Sequence, residues 1–218
     1  MSATGVWVVG TVTDEELRGL LPSAADRAAA SPFPPPSAPA GCAAELDWWR
    51  GRAGESLFAR STDGHGEWTA TEDARRLCAF FDGCRDGAEP VEDLRDAVME
   101  RFPPEDEEGL FAAAARKANP FWALAYALGP EATLRLPGWF GDVLLDSAGL
   151  RACLPVAEEA LTLTGARRRD AIERIHAWMT GLGDAPDHDA DALLDGPLRV
   201  LRHAARTGRG VAAFTSWY

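Results

Sequence analysis

The sequence predicts an α+β fold in a single domain spanning residues 1–218, and three observations carry that prediction. The last nine residues, Gly210 to Tyr218, read as an apolar strand. Residues Val6 to Val9 form the only comparable run, and both runs are apolar on both faces, as strands covered on each side are. The chain between them is dominated by helical periodicity, with apolar residues recurring at i, i+3, i+4 and i+7. Chain ends fray unless they are tied into the fold. The two terminal runs are therefore expected in one small mixed sheet, packed with about seven to nine helices by the same periodicity.

Following the first strand, Thr13-Asp14-Glu15-Glu16 has the order of a capping box ahead of Leu17, Leu20 and Leu21, so a short helix follows directly. Residues 31–40 hold Pro32, Pro34, Pro35, Pro36 and Pro39; proline lacks the backbone donor and restricts its predecessor, which makes this a stiff surface loop. Cys42 to Arg50 reads as a short helix with Leu46, Trp48 and Trp49. Ser56–Arg60 and Glu67–Thr69 flank Asp63-Gly64, a dipeptide suited to a tight hairpin turn. From Thr71 the spacing of Ala74, Leu77, Cys78 and Phe81 marks the clearest amphipathic helix of the first half. Pro90 opens a helix carrying Leu94, Val98 and Phe102. The acidic set Glu105–Glu108 is expected to open the next one, which Leu110, Phe111 and Ala114 continue, carboxylates being favoured at a helix N-terminus. Phe121–Leu128 is apolar nearly all round, as a buried helix is. Strands are expected at Thr133–Leu136 and Val143–Leu145. Three helices complete the chain, marked by Leu150, Leu154, Ala157 and Leu161, by Ile172, Ile175, Met179 and Leu182, and by Leu194, Leu198, Leu201 and Ala205.

At 46% hydrophobic and 26% charged, the composition is that of an ordinary globular protein. All but one of the 22 basic residues are arginine, a bias that with abundant alanine points to a GC-rich bacterial genome. The net charge of −12 disfavours a nucleic-acid partner, which needs basic side chains to replace the counterions on phosphates, and favours a basic protein partner. No stretch approaches the roughly 18 apolar residues that span a bilayer, and none has the form of a signal peptide, so no membrane role and a cytoplasmic location are expected. In that compartment Cys42, Cys78, Cys84 and Cys153 remain thiols. No metal and no cofactor is expected: Cys78 and Cys84 lack a second pair, and Asp187, Asp189 and Asp191 alternate like calcium ligands but are followed by Ala192 and Leu198 where a calcium loop needs glycine and glutamate.

The catalytic candidates are few. His65 lies between glycines, with Asp63 and Glu67 near enough to tune it as a general base, although a polar hairpin tip also tolerates an incidental histidine. His176 falls on the apolar stripe between Ile172 and Met179, the place of a half-buried packing histidine or, less economically, of an acid–base group. Arg167-Arg168-Arg169 reads as a solvated face paired with Asp170 and Glu173. The eight tryptophans are the residual signal, because indoles and arginines anchor interfaces and line small-molecule pockets. Trp48 and Trp49 cannot both face inward from one helix. One of them, or Trp139 beside Phe140, is the expected binding residue.

The opening strand followed by Thr13-Asp14-Glu15-Glu16-Leu17, with the closing Ala204-Ala205-Arg206-Thr207-Gly208-Arg209-Gly210-Val211, resembles the uncharacterised bacterial YfbM-like proteins. That resemblance covers about 30 residues at the two ends. It implies a mixed α+β fold and carries no activity or catalytic residue. The expectation is thus a non-catalytic binding protein of the immunity or accessory type, which recognises a protein or small molecule through an acidic, tryptophan-containing surface. The alternative is an enzyme or ligand sequesterer of secondary metabolism, with a tryptophan-lined pocket and His65 or His176 as acid–base group.

Overall fold

The computed structural model describes residues 3–21, 42–60, 67–84, 94–102, 108–138, 140–184 and 188–218. The expected Pro-rich loop at 31–40, the hairpin tip with Asp63 and His65, the acidic residues 105–107 and Trp139 lie outside them. Within the described residues are nine helices and six strands. In chain order these are β1 (Thr4–Val12), α1 (Asp14–Leu20), α2 (Ala43–Gly51), β2 (Phe58–Arg60), β3 (Trp68–Ala70), α3 (Glu72–Cys84), α4 (Arg95–Met99), β4 (Leu110–Arg116), α5 (Pro120–Leu128), α6 (Pro130–Thr133), β5 (Val143–Leu145), α7 (Ser147–Leu161), α8 (Gly165–Leu182), α9 (Ala190–Thr207) and β6 (Gly210–Trp217).

The chain ends form the middle of a four-stranded sheet of order β4-β1-β6-β5. β1 and β6 pair from Gly5 opposite Trp217 to Val12 opposite Gly210. Every pairing in it is antiparallel, so the sheet is not the mixed one expected. Alternation along the strands sorts their side chains between two cores. Trp7, Val9, Val211 and Ala213 join the larger core beneath the helices. Val12, Ala212 and Phe214 join the smaller one, shared with Leu17 of α1 and Val98 of α4. A sheet covered on both faces accounts for terminal strands that are apolar on both sides.

Local chemistry sets the helix ends. The Thr13–Glu16 capping box is present, and Asn119 Oδ1 accepts from Phe121 N–H at 3.0 Å ahead of Pro120 at the first turn of α5. Gly5 is required where α5 approaches the sheet, since a Cβ there would lie 2.1 Å from Ala118 O. The helix that begins at Ser147 is capped by Asp146, whose carboxylate accepts from Gly149 N–H.

Three sequence expectations are corrected. Leu110–Arg116, expected to continue a helix, is strand β4: its four alanines favour a helix locally, but pairing with β1 over seven residues overrides that preference. Glu108, expected in that helix's first turn, precedes the strand and binds His203 and Arg206. Thr133–Leu136 is not a strand; Thr133 closes the short α6, its hydroxyl donating to Ala125 O. Arg168 pairs with Asp195 at 2.8 Å and with Asp191, both on α9, rather than with the acids of its own helix.

Candidate functional site

Two polar grooves and one small apolar slot are found among the described residues. The slot, lined by Trp7, Phe121, Leu136, Val211 and Ala213 among others, has a volume of about 40 Å³ and room for little more than water.

The first groove is aromatic and acidic, with a volume of about 340 Å³. Helix α8 supplies one wall, because Asp170, Glu173, Arg174 and Ala177 fall on a single helical face. Tyr126 comes from α5, Trp68 from β3, and Gly54 and Ser56 from the connection after α2. Tyr126 is fixed in place, its hydroxyl accepting from Leu57 N–H at 3.0 Å. Arg174 donates to Ala53 O at 2.9 Å and to Tyr126 O at 3.3 Å, and its guanidinium lies 5.2 Å from the Tyr126 ring centre. These partners are neutral, and no carboxylate pairs with Arg174 among the described residues. Asp170, one turn away, is exposed and likewise has no ion-pair partner among them. Arg60 stacks on Trp68 at 4.6 Å and reaches Glu173 at 3.4 Å, which holds the indole at the groove wall.

The second groove, of about 330 Å³, runs between β4 and the junction of α8 and α9. It is lined by Phe111 to Ala114 on one side and by Met179, Asp184, His188, Asp189, Ala192 and Leu193 on the other. His176 stands behind His188, their rings joined by a 2.7 Å Nδ1···Nε2 hydrogen bond. Asp184 Oδ2 lies 3.8 Å from His188 Nδ1, an ion-pair distance rather than a hydrogen bond. Asp189 caps α9, accepting from Ala192 N–H at 2.8 Å. Such a linked pair can accept a proton from the groove, but two imidazoliums cannot share one N–H···N bond.

Burial holds the His176 imidazole below its ordinary range, His188 acts in the same direction, and Asp191 opposes them. A histidine depressed in the native state protonates first in the unfolded chain. Its contribution to stability is therefore present above about pH 6.5 and is lost as pH falls toward the native value. The charged neighbours of the pair are Asp184, Asp189 and Asp191, with Arg168 bound to Asp191. We expect the urea midpoint to be lower at pH 5.5 than at pH 7.5, a window above the carboxylate range, and the difference to shrink in His176→Gln. Equal midpoints at the two pH values in the parent protein would contradict this.

Of the catalytic and binding candidates singled out from the sequence, none lines a groove among the described residues, and His176 comes nearest, behind His188; Asp170 and Glu173, named as partners of the arginine cluster, line the first groove, and Asp189, named among the alternating aspartates, lines the second. Glu67 is exposed at the start of β3's hairpin arm, while Asp63, His65 and Trp139 lie outside the described residues. Trp49 is a core residue, 1% exposed and packed edge-on to Phe81, so it is not a binding residue. Trp48 is half-buried under Arg76, whose guanidinium sits 4.4 Å over the indole while pairing with both oxygens of Glu45; it lines neither groove. Among the described residues no cluster of three histidine, cysteine, aspartate or glutamate side chains is placed to hold a metal. Burial pushes the Cys78 thiol up to about 12 and the Cys153 thiol up to about 11, which makes both poor nucleophiles. Cys42 and Cys84 form no disulfide; their sulfurs lie 3.8 Å apart, within a sulfur hydrogen bond. Sequence reasoning missed Trp68 and Arg174, and it gave Asp170 only as a partner for the arginine cluster. The available signal was the i, i+4 spacing of Asp170 and Arg174 on one face of the helix.

No protein family, curated protein or solved structure matches this chain.

Proposed function

We propose that this protein is a non-catalytic binding protein, of the accessory or immunity kind, whose recognition surface is the aromatic and acidic groove beside α8. One observation carries the reading: Asp170 and Arg174 carry opposite charges without ion-pair partners among the described residues, side by side in a groove walled by Trp68 and Tyr126. Arg174 is half-buried with neutral partners and can take a further charge-assisted hydrogen bond, and exposed Asp170 offers the opposite charge one turn away. The complementary ligand is a small zwitterion, with its cationic group toward Asp170 and Glu173, its carboxylate toward Arg174 and an apolar body against Trp68. A cytoplasmic location belongs to the same reading. It is supported by four cysteines that form no disulfide and by the absence, among the described residues, of any helix long and apolar enough to cross a membrane.

The enzyme reading has less support. The groove beside the histidine pair presents no serine, threonine or cysteine among its described lining residues, so a nucleophile there would be a carboxylate, an imidazole or a water.

The test is calorimetric titration with free L-leucine and L-tryptophan and with their N-acetyl amides, which lack both charges. At least one free amino acid is expected to bind, with at least tenfold weaker binding of its acetyl amide and of the Asp170→Asn and Trp68→Ala variants; tenfold corresponds to about 1.4 kcal/mol. Absence of binding by either amino acid, or equal binding by the charged and neutral forms, would overturn the zwitterion assignment.

A further inference from the structure

The outer edge of β4 forms part of the second groove and is independent of the ligand groove proposed above. Lys117 N–H donates to Ala3 O at 2.8 Å and Thr11 N–H to Gly109 O at 2.9 Å, on the register that pairs Trp7 with Ala113. In an antiparallel pair the residues that exchange hydrogen bonds alternate with those whose groups point away. The odd-numbered residues of β4 therefore face β1, and the backbone groups of Leu110, Ala112, Ala114 and Arg116 face outward. Among the described residues no strand lies beyond them, since β4 ends the sheet.

Side chains plug the two ends of this edge. Leu110 O accepts from Arg199 Nη2 at 3.0 Å, and Arg116 N–H donates to Asp184 Oδ1 at 2.7 Å. Between the plugs, the outward N–H and C=O groups of Ala112 and Ala114 have no partner in the described structure, and both residues are exposed. An open edge is a template for a further strand, and natural proteins usually blunt it with lysine, proline or a bulge. The segment Phe111–Ala115 contains none of these, and its alanines leave the approach clear.

The groove of about 330 Å³ follows this same window. Its far wall carries the carboxylates of Asp184 and Asp189, each accepting one backbone hydrogen bond; Asp189 is exposed and keeps lone pairs to spare, while Asp184 is largely buried beside His188 and adds its charge from behind. A second copy of the chain would bring together two acidic walls on molecules of net charge −12. A basic strand meets the opposite sign.

We infer that the edge of β4 between Leu110 and Arg116 is a docking site for an extended basic peptide from another protein, which adds to the sheet beside β4. Ala112 and Ala114 supply four backbone hydrogen bonds, and Asp184 and Asp189 select lysine or arginine at alternate peptide positions.

The experiment is a ¹⁵N–¹H NMR titration of the full chain with three probes. These are the peptide acetyl-Thr-Lys-Val-Lys-Val-Lys-Thr-amide, its counterpart with glutamate for lysine, and a version of the basic peptide N-methylated at alternate residues. The basic peptide is expected to shift the amides of Ala112 and Ala114 most, with at least tenfold weaker binding of the other two. Ala114→Pro, which removes an outward donor without touching the bonds to β1, is expected to lose binding to the same degree. Should that variant fail to fold, the N-methylated peptide makes the same comparison on the parent protein. Equal binding of the three peptides, no binding, or shifts centred on Trp68 and Arg174 would overturn the inference. So would self-association at high protein concentration that Ala114→Pro abolishes, since the edge would then serve a second copy.

Discussion

Deleting residues 210–218 is expected to abolish the folded state. β6 lies between β1 and β5 and is the only strand that pairs with both. Its residues from Gly210 to Ser216 are all buried. Val211 and Ala213 enter the larger core and Ala212 and Phe214 the smaller one, so the strand joins the two. Without it, β1 loses half its hydrogen-bond ladder, and the apolar undersides of α1 and α7 face water. An unmade buried backbone bond costs about 1–3 kcal/mol, and a domain's whole stability is about 5–15 kcal/mol, so losing a central strand exceeds the margin. The truncated chain should lack near-ultraviolet circular dichroism and a cooperative urea transition. A cooperative transition in that chain would contradict the account.

Trp178→Ala is expected to destabilise the protein by about 3–5 kcal/mol, the largest effect of any single truncation in the core. Trp178 is fully buried on α8, with Phe58, Phe81 and Tyr126 rings at 5.5 to 5.8 Å from its own. Those rings come from β2, α3 and α5, so this one side chain ties the small hairpin to the helical layer. The cavity left by its removal cannot close, because each lining ring is itself held by neighbours. Its indole N–H has no hydrogen-bond partner in the described structure, so substitution strands no partner and the loss is one of packing. Trp178→Phe should recover a large part of that loss. Trp48→Ala, which removes a half-buried indole beneath Arg76, should cost much less. Urea midpoints of the three variants provide the check; a Trp48→Ala loss as large as that of Trp178→Ala would refute this placement of the core.

The terminal strands were legible because a run that is apolar on both faces has few places to go, and Val211 with Ala212 satisfies both cores at once. The long helices were legible from stripes such as Ala74, Leu77 and Phe81, and the α1 cap from Thr13 and Glu16. β4 was not. Leu-Phe-Ala-Ala-Ala-Ala-Arg has no strand propensity to speak of, and its conformation is imposed by β1 across the sheet. The second groove was hidden for the same reason, since its floor is that misread strand. His176 was visible as a histidine on an apolar stripe, but its partner His188 lies beyond the end of α8, and only the return of the chain into α9 brings the two rings together. The ligand groove is drawn from α2's exit, β3, α5 and α8, four places that share no sequence signal.

The second groove depends on the order β4-β1-β6-β5: β4 is an open edge only if β1 turns its other side to β6. The register makes Trp7–Thr215 and Val9–Ala213 the close, non-hydrogen-bonded pairs, because Thr4 and Tyr218 exchange backbone bonds at 2.8 and 2.9 Å. In such pairs the α-carbons approach to about 4.5 Å, and their α-protons give strong cross-strand nuclear Overhauser effects. A NOESY spectrum of the intact chain in D₂O should show Hα–Hα peaks between Trp7 and Thr215 and between Val9 and Ala213. Absence of both, with peaks joining the Hα of β1 to a different strand on that side, would contradict the fold and remove the basis of the docking edge on β4.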